Sequence, residues 1–268
     1  MSDVIRSGYV PVNGLQLYYE IHGAGEPLVL LHGGAGTVQS FGPNLQALAT
    51  YRQVIGVELQ AHGHTADIDR PLRYELLADD LAALIRYLNL GPLDVMGFSL
   101  GAGVALQSAI RHPDCVRRLI VISTPCRRDG WYPEILAAMH KMTGSAAEGM
   151  KASPLYARYA RVAPRPQDWP VLFDKLHDLL VRENDWSKDI PALKLPVLLV
   201  FADADAMPPA HIAEFFGLLG GGLRDAGWDG AARPLAQLAI VPNTTHYTID
   251  SCPALAAAVE PFLRARIS

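Results

Sequence analysis

The sequence predicts an α/β fold with a mostly parallel central sheet, helices on both faces and a helical cap inserted after the sixth strand. Three observations predict it. Short, continuous apolar runs such as Leu28–Leu31, Leu93–Phe98 and Leu119–Ile122 alternate with segments of helical period, the pattern of strands buried on both faces. One serine, Ser99, stands between two glycines where an apolar strand stops and a helical pattern starts. The alternation then lapses between Thr124 and Pro196, a stretch too long for an ordinary loop.

Taken in order, Tyr9–Val12 and Leu15–Ile21 read as two strands joined by Asn13-Gly14, a strong hairpin signal. Leu28–Leu31 is an apolar strand, Phe41–Ala49 a short helix and Val54–Leu59 a strand. Tyr74–Leu88 is a helix, because Leu77, Leu81, Leu84, Ile85 and Leu88 fall on one face. Leu93–Phe98 leads into the helix that follows Ser99, and Leu119–Ile122, Val197–Phe201 and Leu238–Val241 continue the strand series. Pro253–Arg266 is the final helix. Gly220–Pro234 reads as an irregular surface excursion, from its run of glycines and Trp228-Asp229-Gly230. The expected organisation is therefore a core of residues 1–124 and 196–268, with residues 125–195 forming the cap.

With 268 residues, one domain carrying an insertion is expected rather than two independent ones. A formal charge of −4 provides no basic footprint for nucleic acid. No apolar run is long enough to span a bilayer and residues 1–10 hold charges without an apolar core, so a cytoplasmic protein without a membrane partner is expected. Cys115, Cys126 and Cys252 show no spacing for zinc or a redox pair, and each reads as a small buried hydrophobe. His62-Gly63-His64 lacks a carboxylate or cysteine in fixed register, so no metal is implied, and no cofactor motif is present.

The chemistry rests on Gly97-Phe98-Ser99-Leu100-Gly101. A sharp strand-to-helix turn strains the serine backbone, leaves room only for residues without side chains two positions either side, and exposes Oγ beside a helix N-terminus. A serine hydroxyl is a poor nucleophile at neutral pH unless a base lies within hydrogen-bond reach and a third group orients that base. Downstream, Ala202-Asp203-Ala204-Asp205 follows one apolar strand and Thr244-Thr245-His246-Tyr247 follows the last. Three aspartates compete for the orienting role: Asp205, Asp203, which also suits a turn, and Asp129 after the preceding strand.

The order serine, acid, histidine, each just past a strand end, resembles the α/β-hydrolase fold family, over nearly the whole chain outside the cap and Gly220–Pro234. His32-Gly33-Gly34-Ala35-Gly36 resembles that family's oxyanion loop, Ala61-His62-Gly63-His64-Thr65 its Gly-His-Gly-x-Ser turn, and Arg111-His112-Pro113-Asp114 the end of the helix behind the nucleophile. The resemblance implies Ser99 as nucleophile, His246 as base, Asp205 as orienting acid, and the backbone N–H groups of Gly34 and Leu100 as the oxyanion hole. His32, His62 and His64 are then expected to pack the loops. Two departures stand out. Glu58-Leu59-Gln60-Ala61-His62-Gly63 occupies the place where relatives often carry Asp-x-Arg-Gly-His-Gly, so a charged pair behind the loop is altered, and Phe201-Ala202-Asp203 replaces the usual Gly-Asp.

The resemblance and the triad together imply acyl transfer: a carboxylic ester hydrolase acting on a small or medium hydrophobic molecule, with turnover falling as pH drops through a histidine titration near about 6.5. Serine in place of aspartate disfavours epoxide hydrolysis and dehalogenation. Phe98, Met207, Trp131 and Tyr132 are the expected pocket residues, although the aromatic and methionine side chains of the insertion equally suit holding it to the core. The same residues allow lactone, thioester or C–C hydrolysis or cofactor-free perhydrolysis, and a hydrolase-fold ligand receptor is the reading of another class.

Overall fold

A computed structural model describes residues 4–265. Eight strands form one sheet in the order β1-β2-β4-β3-β5-β6-β7-β8. They are β1 (Val4–Val12), β2 (Leu15–His22), β3 (Pro27–Leu31), β4 (Gln53–Glu58), β5 (Leu93–Phe98), β6 (Val116–Ile122), β7 (Val197–Ala204) and β8 (Ala236–Thr245). β1 and β4 each pair antiparallel with β2, and every later pairing is parallel. Asn13 (φ 47°) and Gly14 (φ 83°) form the β1–β2 turn, with the two positive φ values that match the twist of a two-residue hairpin.

Alternation along the strands divides the core in two. Leu28, Leu30, Met96, Ile120, Ile122 and Val200 bury one face under α1 (Pro43–Ala49) and α9 (Ala254–Arg264), through Leu45, Leu48, Leu255, Val259 and Phe262. Val29, Leu31, Val95, Leu119, Val121 and Leu199 bury the other under α2 (Tyr74–Leu88) and α3 (Leu100–Arg111), through Leu77, Leu81, Val104 and Leu106. Both faces are covered, which is why these strands read as unbroken apolar runs rather than as an alternating pattern.

Several boundaries differ from expectation for identifiable reasons. Gly42 (φ 50°) splits the expected Phe41–Ala49 helix into a 3₁₀ turn, Val38–Phe41, and α1, which starts on Pro43. β1 begins five residues before Tyr9. Arg6, Ser7 and Gly8 break the apolar pattern before Tyr9, and β1 lies at the sheet edge, where apolar alternation is not required. β7 and β8 outrun their apolar stretches because each pairs with the other as far as Ala204↔Thr245. α9 ends at Arg264, and the expected end at Arg266 lies outside the described residues. Gly220–Pro234 forms neither helix nor strand.

Four helices stand between β6 and β7: α4 (Pro133–Met139), α5 (Gly144–Gly149), α6 (Pro154–Val162) and α7 (Trp169–Leu180). Trp169 is their hub. It is fully buried, donates Nε1–H to the Ala147 carbonyl (2.9 Å), and packs against Phe173 (4.6 Å between centroids), Tyr159 (5.0 Å) and Tyr156 (5.4 Å). α7 is tied to the segment before α2 by ion pairs from Lys175 to Asp67 (2.6 Å) and from Arg73 to Asp178 (2.6 Å). α8 (Pro209–Leu218) links β7 to the irregular segment. Cys115 and Cys126 are buried and Cys252 is half-buried, all as free thiols. Among the described residues no helix is long and apolar enough to cross a membrane.

Candidate active site

Ser99 sits on the turn from β5 to α3 with φ 51° and ψ −114°, a strained conformation for a residue with a side chain. Hydrogen bonds hold it there: its N–H donates to the Ile122 carbonyl on β6 (2.9 Å), and its carbonyl accepts from Ala102 (3.0 Å) and Gly103 (3.1 Å) as α3 begins. Both flanking glycines are required by close approach. A Cβ on Gly97 would lie 2.2 Å from the Gly101 carbonyl oxygen, and one on Gly101 would lie 2.5 Å from the carbonyl oxygens of Leu31 and His32.

The strand ends bring the three distant residues together. His246 Nε2 lies 3.2 Å from Ser99 Oγ, and His246 Nδ1 lies 3.2 Å from Asp205 Oδ1. A carboxylate only accepts, so Nδ1 carries the proton and Nε2 is left to accept from the serine hydroxyl. Asp205 is held from every side. Oδ1 also accepts from the Ala206 N–H (2.8 Å), and Oδ2 accepts from the Ala202 N–H (2.9 Å) and the Ser123 hydroxyl (2.6 Å). Burial opposes ionisation of this carboxyl, but the bonds from His246, Ser123 and Ala202 outweigh it and hold the group below the ordinary aspartate range.

The two rival aspartates are engaged elsewhere. Asp203 is exposed near the end of β7 and, rather than forming the turn expected of it, accepts from the N–H groups of Asn243 and Thr244 on β8 (3.0 Å each). Asp129 pairs with Arg127 (2.7 Å).

Aromatic rings surround the histidine. Phe98 (5.3 Å), Trp131 (5.3 Å, edge-on) and Tyr247 (5.4 Å, edge-on) all pack against it. Tyr132 is half-buried and ties the start of the insertion to the acid's loop, its N–H donating to the Ala206 carbonyl (3.1 Å). Met207, by contrast, is buried in the larger of the two hydrophobic clusters.

Gly34 is exposed, and a Cβ on it would meet Leu176 of α7 at 3.6 Å; a Cβ on Gly33 would fall 3.5 Å from that of Ser99 and 2.9 Å from the Phe98 ring. The glycine loop thus runs directly beside the serine. Leu100 opens α3, and N–H groups in a helix's first turn have no intrahelical partner.

His32 braces the loop. Its Nε2 accepts from Leu59 N–H (3.2 Å), which leaves Nδ1 to donate to the Gly33 carbonyl (2.7 Å). Burial pushes both His32 and His62 down to about 4, with their mutual repulsion adding to the effect on His32. These rings are therefore neutral in the fold and take up protons only on unfolding, so stability falls as pH drops from about 6.5 toward 4. Thermal unfolding across that range is expected to show uptake of close to two protons from this pair, and His62→Gln is expected to flatten the slope.

The altered Gly-His-Gly region finds its own solution. Glu58 is buried and accepts from the N–H (2.6 Å) and Nδ1 (2.8 Å) of His64. Gln60 Oε1 accepts from Arg70 Nε (2.8 Å), and Arg70 pairs with Asp80 on α2 (2.5 Å). A guanidinium from ten residues downstream therefore stands behind the loop.

Ser123 is a residue the sequence did not mark. It is fully buried at the end of β6, has φ 51°, and its N–H donates to the Val200 carbonyl (3.0 Å). A single serine after a strand carries no signal, since only the adjacency of β6 and β7 aims it at Asp205. Replacing it with alanine removes a hydrogen bond to a charged group, worth about 1.5–3 kcal/mol. Ser123→Ala is expected to lower kcat/KM by roughly tenfold to a hundredfold on that basis. The acid limb of the pH–rate profile is expected to shift as the Asp205 carboxyl loses a donor, while an unmoved profile would make Ser123 only structural.

A sequence model of the alpha/beta hydrolase family matches residues 28–259, and the chain belongs to that family. It is 30% identical over 204 residues to the pimeloyl-[acyl-carrier protein] methyl ester esterase of Neisseria meningitidis serogroup B, covering 69% of this chain and 77% of that protein. Among solved structures it shares its fold with a thermophilic esterase from Thermogutta terrifontis (TM-score 0.71, 22% identity, 98% of each chain). The fold is also that of the enol-lactonase from Burkholderia xenovorans LB400 (TM-score 0.68, 21% identity, 96% of this chain and 100% of that one).

Proposed function

We propose that this chain hydrolyses a carboxylic ester of a small to medium hydrophobic molecule through an acyl-enzyme on Ser99. The observation that carries the reading is the continuous relay Asp205–His246–Ser99, with both links at 3.2 Å and the serine on a strained turn. Links at that length suit a resting site that tightens around substrate. Ser99 Oγ attacks the ester carbonyl carbon as its proton passes to His246 Nε2, and Asp205 stabilises the imidazolium that forms. The carbonyl oxygen becomes an oxyanion held by the N–H groups of Gly34 and Leu100. His246 returns the proton to the leaving alkoxide oxygen, then deprotonates the water that releases the acid and frees Ser99.

Phe98, Trp131 and Leu176 border the reacting atoms with apolar surface, which supports a hydrophobic substrate. The related methyl ester esterase supports an ester over an amide or a C–C bond. In this reading residues 125–195 form a cap, and Trp131 is the part of it that reaches the histidine. The test is a panel of p-nitrophenyl esters graded by acyl length. Repeated turnover with a preference for short or medium chains is the expected result. A single-turnover burst without cycling would favour a receptor, and cleavage of lactones alone would move the bond.

A further inference from the structure

The glycine loop that lends Gly34 to the proposed oxyanion hole is held at both ends by two consecutive residues where β4 stops. At the start of the loop, Leu59 N–H donates to His32 Nε2 (3.2 Å). At its exit, Val38 N–H donates to Glu58 Oε1 (3.4 Å). Val38 also presses on the same strand, since a Cβ on Gly56 would lie 2.4 Å from Val38 Cγ1. Within the loop, Gly36 N–H donates to the Gly33 carbonyl (3.1 Å), a bond that shapes the loop but does not set its distance from Ser99.

Glu58 is only 2% exposed, and a buried carboxylate is tolerated only where its oxygens are matched. Oε2 takes two short bonds, from the N–H (2.6 Å) and Nδ1 (2.8 Å) of His64. The carboxylate lies flat on Gly63, where a Cβ would fall 2.2 Å from Oε2. His64 stacks on the Tyr18 ring of β2 (4.2 Å between centroids, 23°), and the Thr65 hydroxyl donates to the Glu58 carbonyl (2.6 Å) while accepting from Tyr18 N–H (2.9 Å). The Gly-His-Gly turn and β2 therefore fix this carboxylate with short contacts. Its longer bond to Val38 is the one that passes that position on to the glycine loop.

We propose that Glu58 is a positioning residue for the reaction at Ser99, holding the exit of the glycine loop through Val38 N–H so that Gly34 N–H stays aimed at the developing oxyanion. This deepens the hydrolase reading and rests on it. A donor placed in advance is useful only if it does not move when the charge forms, and a buried, fully matched carboxylate supplies that fixity. The same end of β4 supplies Leu59 N–H to His32, so both ends of the loop share one anchor.

The test is single-turnover acylation by p-nitrophenyl acetate, with thermal unfolding of the same samples. In Glu58→Gln the amide accepts through one oxygen, which the two His64 donors claim, leaving Val38 N–H against an NH₂ group. Acylation is expected to slow by about tenfold to a hundredfold, part of what a whole oxyanion donor supplies, with the apparent Kd of the ester within about threefold. That buried change risks unfolding the chain, so a pair at Val38 carries the argument. Val38→Pro removes the N–H at the first position of the 3₁₀ turn, where proline fits and where Thr37 before it is already extended (φ −141°, ψ 173°). Val38→Ala keeps the N–H and removes the packing on Gly56.

The proline variant is expected to slow acylation about tenfold, and the alanine variant to lower Tm by about 5 °C with acylation within about threefold of the parent. Glu58→Gln and Val38→Pro combined are expected to be no slower than Glu58→Gln alone, because both break the same link. The proposal is overturned if Val38→Pro acylates as the parent does, if alanine slows the step as much as proline, or if the two effects multiply. A parent without ester turnover would fail the ester reading alone. The variants are then ranked by the rate at which Ser99 Oγ displaces fluoride from a fluorophosphonate, whose P=O oxygen takes the same hole. A parent that this reagent does not label would overturn both.

Discussion

Ser99→Ala is expected to lower kcat for p-nitrophenyl ester hydrolysis by about 10⁵- to 10⁶-fold, to the level that oxyanion binding alone sustains. The size reflects a residue acting as one part of a unit: without Oγ, the histidine and the two N–H donors have no nucleophile to serve. Stability is expected to stay within ~1 kcal/mol, because the backbone bonds that fix the turn do not involve Oγ, and alanine carries the same positive-φ strain as serine. The measurement pairs single-turnover kinetics with thermal unfolding of the same sample. A rate retained in a folded Ser99→Ala protein would remove the acyl-enzyme from the mechanism, whatever the fold.

Much of this site was legible because its parts are set by local sterics. The glycines around Ser99 are readable from sequence since a Cβ at either would meet backbone atoms, and no neighbour can be chosen to relieve that. α2 spans Tyr74–Leu88 as its apolar period predicts, because that helix buries one face on the sheet. Other features depend on which strand ends happen to be neighbours. Ser123 reaches Asp205 only because β6 and β7 lie side by side, and Arg70 stands behind the Gly-His-Gly turn only because the segment after it folds back onto Gln60. The ends of β7 and β8 were hidden for a related reason. Past Phe201 and Val241 they are held by pairing with each other rather than by apolar burial, and pairing leaves no composition signal. The aromatic residues of the insertion divide in the same way: Trp169 and Tyr159 hold the helices together, while Trp131 touches His246.

The assignment of the acid gives the second large effect. Asp205→Asn is expected to lower kcat by about 10⁴-fold, because an amide at this position can donate to His246 Nδ1 and stabilise the tautomer whose Nε2 carries the proton, which cannot accept from Ser99. Asp203→Asn keeps an acceptor for only one of the N–H groups of Asn243 and Thr244, but is expected to stay within about tenfold of the parent, as a substitution away from the relay should. Acid titration adds a readout independent of turnover. Asp205 has a folded-state pKa below its usual value, so the stability its ionised form contributes is present above about pH 4 and lost as pH falls through that lowered value. The Asp205→Asn protein is expected to lack this step while keeping the one between about 6.5 and 4 that arises from His32 and His62. If Asp203→Asn instead carried the large loss, the acid would have to reach His246 from the exposed end of β7. The three bonds that fix the Asp205 carboxylate besides His246 would then serve the β7 loop rather than the chemistry.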